Sequence, residues 1–231
     1  MMRVLFFLCC FLLCAFSMVA IGQPIGINTR KLVSGFEVTG GIGLLNSSSY
    51  YASYGTGIGY SFGVGVSHAF SKSFDLKARI LYELKGSTTK TRAILYQNGT
   101  ETDITRVLRT DLYYLTLAVL PTFHITSNRK VVIGAGGFYS FNRDVNLIEE
   151  RTDNMTGITA TITHNSPNAL LENDFGASIY GGYIFSLSGK TDLTLMLHYN
   201  KSLTDYVDAL NTWQRNNVIL ISVTFGLLRS P

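Results

Sequence analysis

The sequence predicts an all-β fold: an eight-stranded antiparallel up-and-down transmembrane β-barrel, preceded by a cleaved signal peptide. Three observations predict it. The first is the segment GIGYSFGVGVSHAF at 57–70. Ile58, Tyr60, Phe62, Val64, Val66, His68 and Phe70 alternate strictly with Gly57, Gly59, Ser61, Gly63, Gly65, Ser67 and Ala69. Side chains leave a pleated strand on opposite sides in turn, so this pattern makes one bulky apolar face and one very small face. A soluble lipocalin-like barrel would account for this strand alone. The second observation is its neighbour, DLKARILYELKG, which sets a charged face against an apolar one. A sheet keeps its faces, so long charged side chains can fill the room left by glycines inside a narrow closed barrel. The third is the rhythm of the connections: long, short, long, short, long, short, long. A soluble barrel has no reason to gather its long loops at one end, whereas an outer-membrane barrel has short periplasmic turns, long outer loops and an even strand count.

The chain opens Met1-Met2-Arg3, continues apolar from Val4 to Ala20 except at Ser17, and reaches the small-x-small triplet Ala20-Ile21-Gly22. A positive start, an apolar middle and small residues at a cleavage site make a secretory leader. Cleavage is expected between Gly22 and Gln23, leaving residues 23–231 as one barrel domain. Cys9, Cys10 and Cys14 all lie in the leader, so the mature chain has no disulfide, thiol nucleophile or cysteine metal site. The formal charge of +4, without a lysine-arginine run, gives no reason to expect nucleic acid as a partner. Abundant glycine, tyrosine and phenylalanine (22, 13 and 14 residues) against 4 prolines suit strands with aromatic girdles.

The first expected strand spans Val33–Leu45, with Phe36, Val38, Ile42 and Leu44 opposite Glu37, Thr39, Gly41 and Gly43; Asn46–Tyr54 reads as a loop. The second is the glycine-rich segment, which ends in a tight turn at Ser71-Lys72. The third, Phe74–Lys85, has Phe74, Leu76, Ala78, Ile80, Tyr82 and Leu84 on one face and Asp75, Lys77, Arg79, Glu83 and Lys85 on the other. Gly86–Thr105 reads as a long polar loop. The fourth strand lies around Leu112–Ile125, where Pro121 removes a ladder donor and predicts a bulge or a strand end. After the turn Thr126–Arg129 comes a fifth strand, Val131–Phe141, and then the longest connection, Asn142–Leu171. Alternation over Thr159–Thr163 suggests that part of this connection extends the strands beyond the membrane. The sixth and seventh strands are Asn173–Leu187 and Thr191–Asn200, joined at Ser188-Gly189-Lys190. The loop Lys201–Arg215 precedes the last strand, Asn217–Leu228. Each strand has the roughly ten residues that a tilted crossing needs. Closure removes the sheet edges, which lipid cannot hydrate.

Several segments resemble the PorT-like family of outer-membrane β-barrels of the Bacteroidetes, built on an OmpA/OmpX-type eight-stranded barrel. They are GIGYSFGVGV, DLKARILYELKG, Leu112–Pro121, FGASIYGGY at 175–183 and Ile221–Gly226. The resemblance covers nearly the whole mature chain and is one of pattern, without a catalytic signature. It implies an outer-membrane location with both termini periplasmic. It also implies contact with outer-membrane lipid and lipopolysaccharide, and with the barrel-assembly machinery during insertion. A role beside envelope or secretion complex subunits follows more loosely, because the family is functionally mixed.

Little in the sequence points to chemistry. His68, His124, His164 and His198 show no metal-ligand spacing, and neither a metal nor a cofactor is expected. His198-Tyr199-Asn200 is the nearest match to the His-x-Ser motif of lipid A deacylases, but it has asparagine where the nucleophile should stand. No catalytic residue is assigned. Glu37, Asp75, Lys77, Arg79, Glu83, Asp174 and Asp192 are expected to face inward as a structural charged cluster. Paired, they plug an eight-stranded lumen, which is only wide enough for side chains; unpaired, they line a narrow porin-like path. The sequence therefore favours a non-enzymatic barrel presenting long loops, with a narrow channel as the alternative and a lipid A-modifying enzyme third.

Overall fold

The computed structural model describes residues 34–49, 55–97, 100–126, 128–165, 173–188, 191–204, 206–207 and 213–227. The leader, its three cysteines and the cleavage site lie outside them. Ten strands follow in order: β1 (Ser34–Ser49), β2 (Gly55–Ala69), β3 (Phe74–Gln97), β4 (Thr100–His124), β5 (Val131–Asp153), β6 (Thr159–Asn165), β7 (Asp174–Ser188), β8 (Thr191–Ser202), β9 (Tyr206–Val207) and β10 (Trp213–Leu227). Eight of them close a ring in the order β1-β2-β3-β4-β5-β7-β8-β10, with β10 pairing back onto β1 and every pairing antiparallel.

The register fixes the stagger. Following paired residues from Phe36 through Val66, Ala78, Val119, Gly137, Ala177, Lys201 and Asn217 leads back to β1 at Asn46, ten residues further along. Such a shear tilts the strands and leaves an interior that side chains can fill. Alternation then assigns the faces. Val38, Ile42, Val64, Val66, Ile80, Leu117, Ile133, Ile179, Leu197 and Ile221 are exposed on the outside of the ring, between two aromatic bands. Near the short turns, His68, Phe70, Phe74 and Phe123 form a run of ring contacts, as do Tyr183 and Phe185. Toward the other end lie Tyr60, Phe62, Tyr82 and Tyr113, and the pair Tyr139–Phe141.

Four expectations need correction. Residues 86–105 are not a loop: β3 and β4 stay paired from Phe74↔Phe123 to Gln97↔Thr100, so nearly all of that stretch is strand. From Lys90 to Arg92 side chains on both faces are exposed, which removes the apolar periodicity that marks a strand in sequence. Likewise the strand extension expected over Thr159–Thr163 is present as β6, but β5 also runs to Asp153 and pairs with it, so the 142–171 connection is more strand than loop. Strands β1 and β10 also reach further into the neighbouring loops than expected, to Ser49 and back to Trp213. Finally, Pro121 neither ends β4 nor makes a bulge. The ladder to β3 runs through it, and the ladder to β5 skips Leu120 and Pro121 but keeps its register. The register shift lies instead at Tyr113/Tyr114.

That shift matters above the ring. It leaves Arg143 unpaired in the ladder and turns Val145, Leu147 and Glu149 to the inward side, opposite Leu112, Thr110 and Leu108. Strands β3, β4, β5 and β6 therefore continue past the other ring strands as a four-stranded sheet. Its β3 part, beyond the last β2 pairing at Thr88, is roughly 30 Å long at the usual rise per residue.

Candidate functional site: the barrel lumen

Inward side chains lean into space left by glycines on adjacent strands. Glu37 and Arg79 are both partnered with Gly65, one from each side. The two long side chains can meet across β2 only because that position has no side chain; a Cβ on Gly65 would stand 2.8 Å from Arg79 Cγ. Glu37 accepts from Lys77 Nζ at 2.6 Å and from Arg79 Nη2 at 3.0 Å. All three side chains are 5% exposed or less, so this is a buried, compensated triad rather than a hydrated cluster. Arg79 Nη2 also donates to Thr224 Oγ1 at 3.4 Å, and Thr224 donates to Thr39 at 3.0 Å.

Nearer the short turns, Asp75 accepts from Arg129 Nη2 at 3.3 Å, and its Oδ2 lies 2.7 Å from His124 Nε2. The other ring nitrogen, His124 Nδ1, lies 3.1 Å from the Arg129 carbonyl oxygen, so the imidazole faces an acceptor on each side. Arg129 holds this position with φ at 58°, a left-handed conformation that costs a non-glycine residue about 1–2 kcal/mol. Its side chain and its carbonyl both close this end of the lumen, which offsets that cost. Above it, Tyr180 lies over Gly134, where a Cβ would come within 2.3 Å of the ring. Its hydroxyl donates to the Pro121 carbonyl at 2.7 Å and lies 2.6 Å from Thr122 Oγ1. A side chain thus bonds to the backbone where the proline breaks the ladder.

Toward the long-hairpin end Lys85 is the hub. Its Nζ lies 3.3 Å from Glu83 and 3.3 Å from Asp174, donates to Ser140 at 3.1 Å, and sits 4.6 Å from the Phe138 ring centre and 5.0 Å from that of Tyr114. Glu83 accepts from Thr116 at 2.5 Å; Asp174 accepts from Ser202 and, at 2.7 Å, from Thr204. Between the two charged layers is a cavity of about 30 Å³ with a mixed lining, in which Arg79, Glu83, His198 and Ser222 stand beside Leu120 and Phe138. It has room for one or two water molecules. A well-packed buried ion pair keeps its charges only with further hydrogen bonds of this kind.

The structure brings together six of the seven predicted charges in buried clusters: Glu37 with Lys77 and Arg79, Glu83 with Asp174 through Lys85, and Asp75 with His124 and Arg129. Asp192 is partly buried and pairs in register with Ser186 and Gly226 near the short turns; Gly226 is also the register partner of Glu37. Lys85 shares the parity of Glu83 and could have been included on that ground. Arg129 comes from a turn, where no periodicity shows which way a side chain points. His198 faces the lumen, with Nε2 3.0 Å from Ser222 Oγ and its ring stacked on Tyr180, while Tyr199 faces outward. A lipid on the outer wall has no access to that histidine.

A second ionic cluster stands in the sheet above the ring. Glu149 lies 2.5 Å from Arg151 Nε and 2.5 Å from Arg106 Nε. The Arg151 hydrogen bond, and then the Arg106 guanidinium beside it, hold its carboxyl below the ordinary 4.5. A depressed carboxyl pKa gives stability that is present above the unfolded value and lost as pH falls through the folded one. Amide protection in the β4–β5 extension is therefore expected to fall as pH drops from 5 toward 3 in hydrogen-exchange measurements. In Glu149→Gln, protection at pH 6 should be lower, with that drop reduced.

Residues 19–208 match the family described as outer membrane protein beta-barrel domain. The chain belongs to that outer-membrane β-barrel family. It is a bacterial outer-membrane protein, and the aliphatic belt between its aromatic bands is the surface that meets lipid. Among solved structures, Neisserial surface protein A is similar at 14% identity and a TM-score of 0.42, covering 84% of this chain and 96% of that one. Ail, the attachment invasion locus protein of Yersinia pestis, is similar at 8% identity and a TM-score of 0.39, covering 85% and 100%. OprG from Pseudomonas aeruginosa is similar at 11% identity and a TM-score of 0.37, covering 85% and 97%. No curated protein sequence matches the chain.

Proposed function

We propose that this outer-membrane barrel is a non-enzymatic display scaffold. Its lumen is plugged by paired charges, its short turns and both termini face the periplasm, and its extended hairpins stand outside the cell to meet a protein partner. The observation that carries this reading is the pairing of an occupied lumen with a four-stranded sheet prolonged past the ring. A channel spends its sequence on an open path; here long inward residues fill that path while extra strand length is added at one end only. The resemblance to PorT-like barrels supports a partner among envelope or secretion complex subunits.

The test is affinity purification from native outer membranes in mild detergent, with the full chain and with a variant whose β5–β6 hairpin is cut back to a short turn. Subunits that co-purify with the full chain and are lost with the shortened one support the scaffold. Equal recovery by both proteins would reject the hairpins as the presenting surface.

A further inference from the structure

The prolonged sheet has two open edges, and they differ. Above Thr88 the β3 edge carries Lys90 and Arg92, the charged residues by which edge strands usually discourage pairing. The other edge is β6, TATITHN, which has no Asp, Glu, Lys, Arg or proline and is rich in residues that favour strands. Thr159 to Thr163 are exposed, and among the described residues no strand lies on the far side of β6.

The phase of its free groups can be read. Asp153 N donates to Ile158 O at 2.9 Å, which makes that pair a hydrogen-bonded one in the β5–β6 register. Hydrogen-bonded pairs alternate along an antiparallel ladder. Ala160, Ile162 and His164 therefore turn their backbone groups toward β5. Thr159, Thr161, Thr163 and Asn165 turn theirs to the open side.

We infer that β6 is a homotypic docking edge, pairing antiparallel with β6 of a second copy of this chain. Full overlap of seven residues with their own copy sets Ile162 against Ile162, Thr161 against Thr163 and Thr159 against Asn165. This register opposes the residues whose backbone groups are free. It builds threonine cross-strand pairs and brings no like charges together, a condition that a self-pairing strand must meet and that the β3 edge does not. The two-fold axis of such a pair is perpendicular to the sheet and reverses strand direction. The two barrels then point opposite ways, so the contact joins two facing membranes rather than neighbours in one. This rests on the hairpins being the extracellular end.

The test uses the full chain reconstituted in phosphatidylcholine vesicles, with clustering followed by light scattering. Wild-type vesicles should cluster. Thr161→Pro removes an N–H that β5 does not use, and should slow clustering at least tenfold while heat-modifiable mobility shows a folded barrel. Ile162→Lys vesicles alone and Ile162→Glu vesicles alone should stay dispersed, and mixing the two should restore clustering. Absence of wild-type clustering, wild-type clustering rates in Thr161→Pro, or folded Lys and Glu variants that fail to cluster when mixed would each overturn the inference. Labelling of Thr156→Cys in intact cells by an impermeant maleimide separates the two readings. Labelled hairpins without clustering leave the scaffold standing and remove self-pairing; unlabelled hairpins remove the scaffold's orientation as well.

Discussion

Glu37→Gln is expected to destabilise the barrel by about 3–5 kcal/mol, the usual cost of removing one partner from a buried ion pair. The substitution keeps the shape of the side chain and removes its charge. Lys77 and Arg79 then lose the buried carboxylate they share, while Arg79 keeps its contact to the neutral Thr224 hydroxyl. Unfolding in urea from detergent micelles, scored by heat-modifiable mobility, measures the loss. A control separates charge imbalance from lost packing. Replacing Glu37, Lys77 and Arg79 together by methionine removes the imbalance, and should recover most of the stability, since apolar substitutes for a whole buried cluster are often neutral or stabilising. A triple variant as unstable as Glu37→Gln would show that the cluster's shape, not its charge balance, is what the barrel needs.

Val64→Arg is expected to cost about 2–4 kcal/mol, the range for a cation on the lipid face near the bilayer midplane. Val64 is exposed on the outside of the ring, in register with Val38 on one side and Ile80 on the other. The same change at Tyr60, in the aromatic band nearer the hairpins, should cost only about 0–1 kcal/mol because depth governs the penalty. Comparing the two variants for folding yield into phosphatidylcholine vesicles tests the depth assignment. A Val64→Arg barrel that inserts as well as Tyr60→Arg would contradict it.

The faces of the barrel were legible because a strand's period of two needs no tertiary information. Once Gly63 and Gly65 fall on one side of the second strand, the inward charges of its two neighbours have only that space to share. Glu37 and Arg79 are distant in sequence, yet they meet over Gly65 for this reason alone. The limit of that logic is reached where the environment stops being one-sided. From Lys90 to Arg92 successive side chains on both faces of the β3–β4 ladder meet water, so threonine, lysine and arginine alternate without an apolar side and the stretch resembles a loop. Pro121 misled for a different reason. Its missing donor is tolerated inside a continuing strand because the ladder to β5 skips it, and Tyr180 reaches its carbonyl over Gly134 of β5. The register shift at Tyr113/Tyr114 has no glycine or proline of its own, and reveals itself only in the change of parity that buries Val145 and Leu147. Arg129 was hidden in a turn, where side-chain direction follows from backbone conformation rather than from spacing.

The central claim is that charges in this lumen are paired into a plug rather than arranged along a path. Planar-bilayer recording of the purified, refolded protein tests it most directly. No steady single-channel current is expected from the wild type at moderate voltage, and current only when the plug is weakened, as in Glu37→Ala combined with Lys85→Ala. Steady, uniform conductance steps from the wild-type barrel would contradict it.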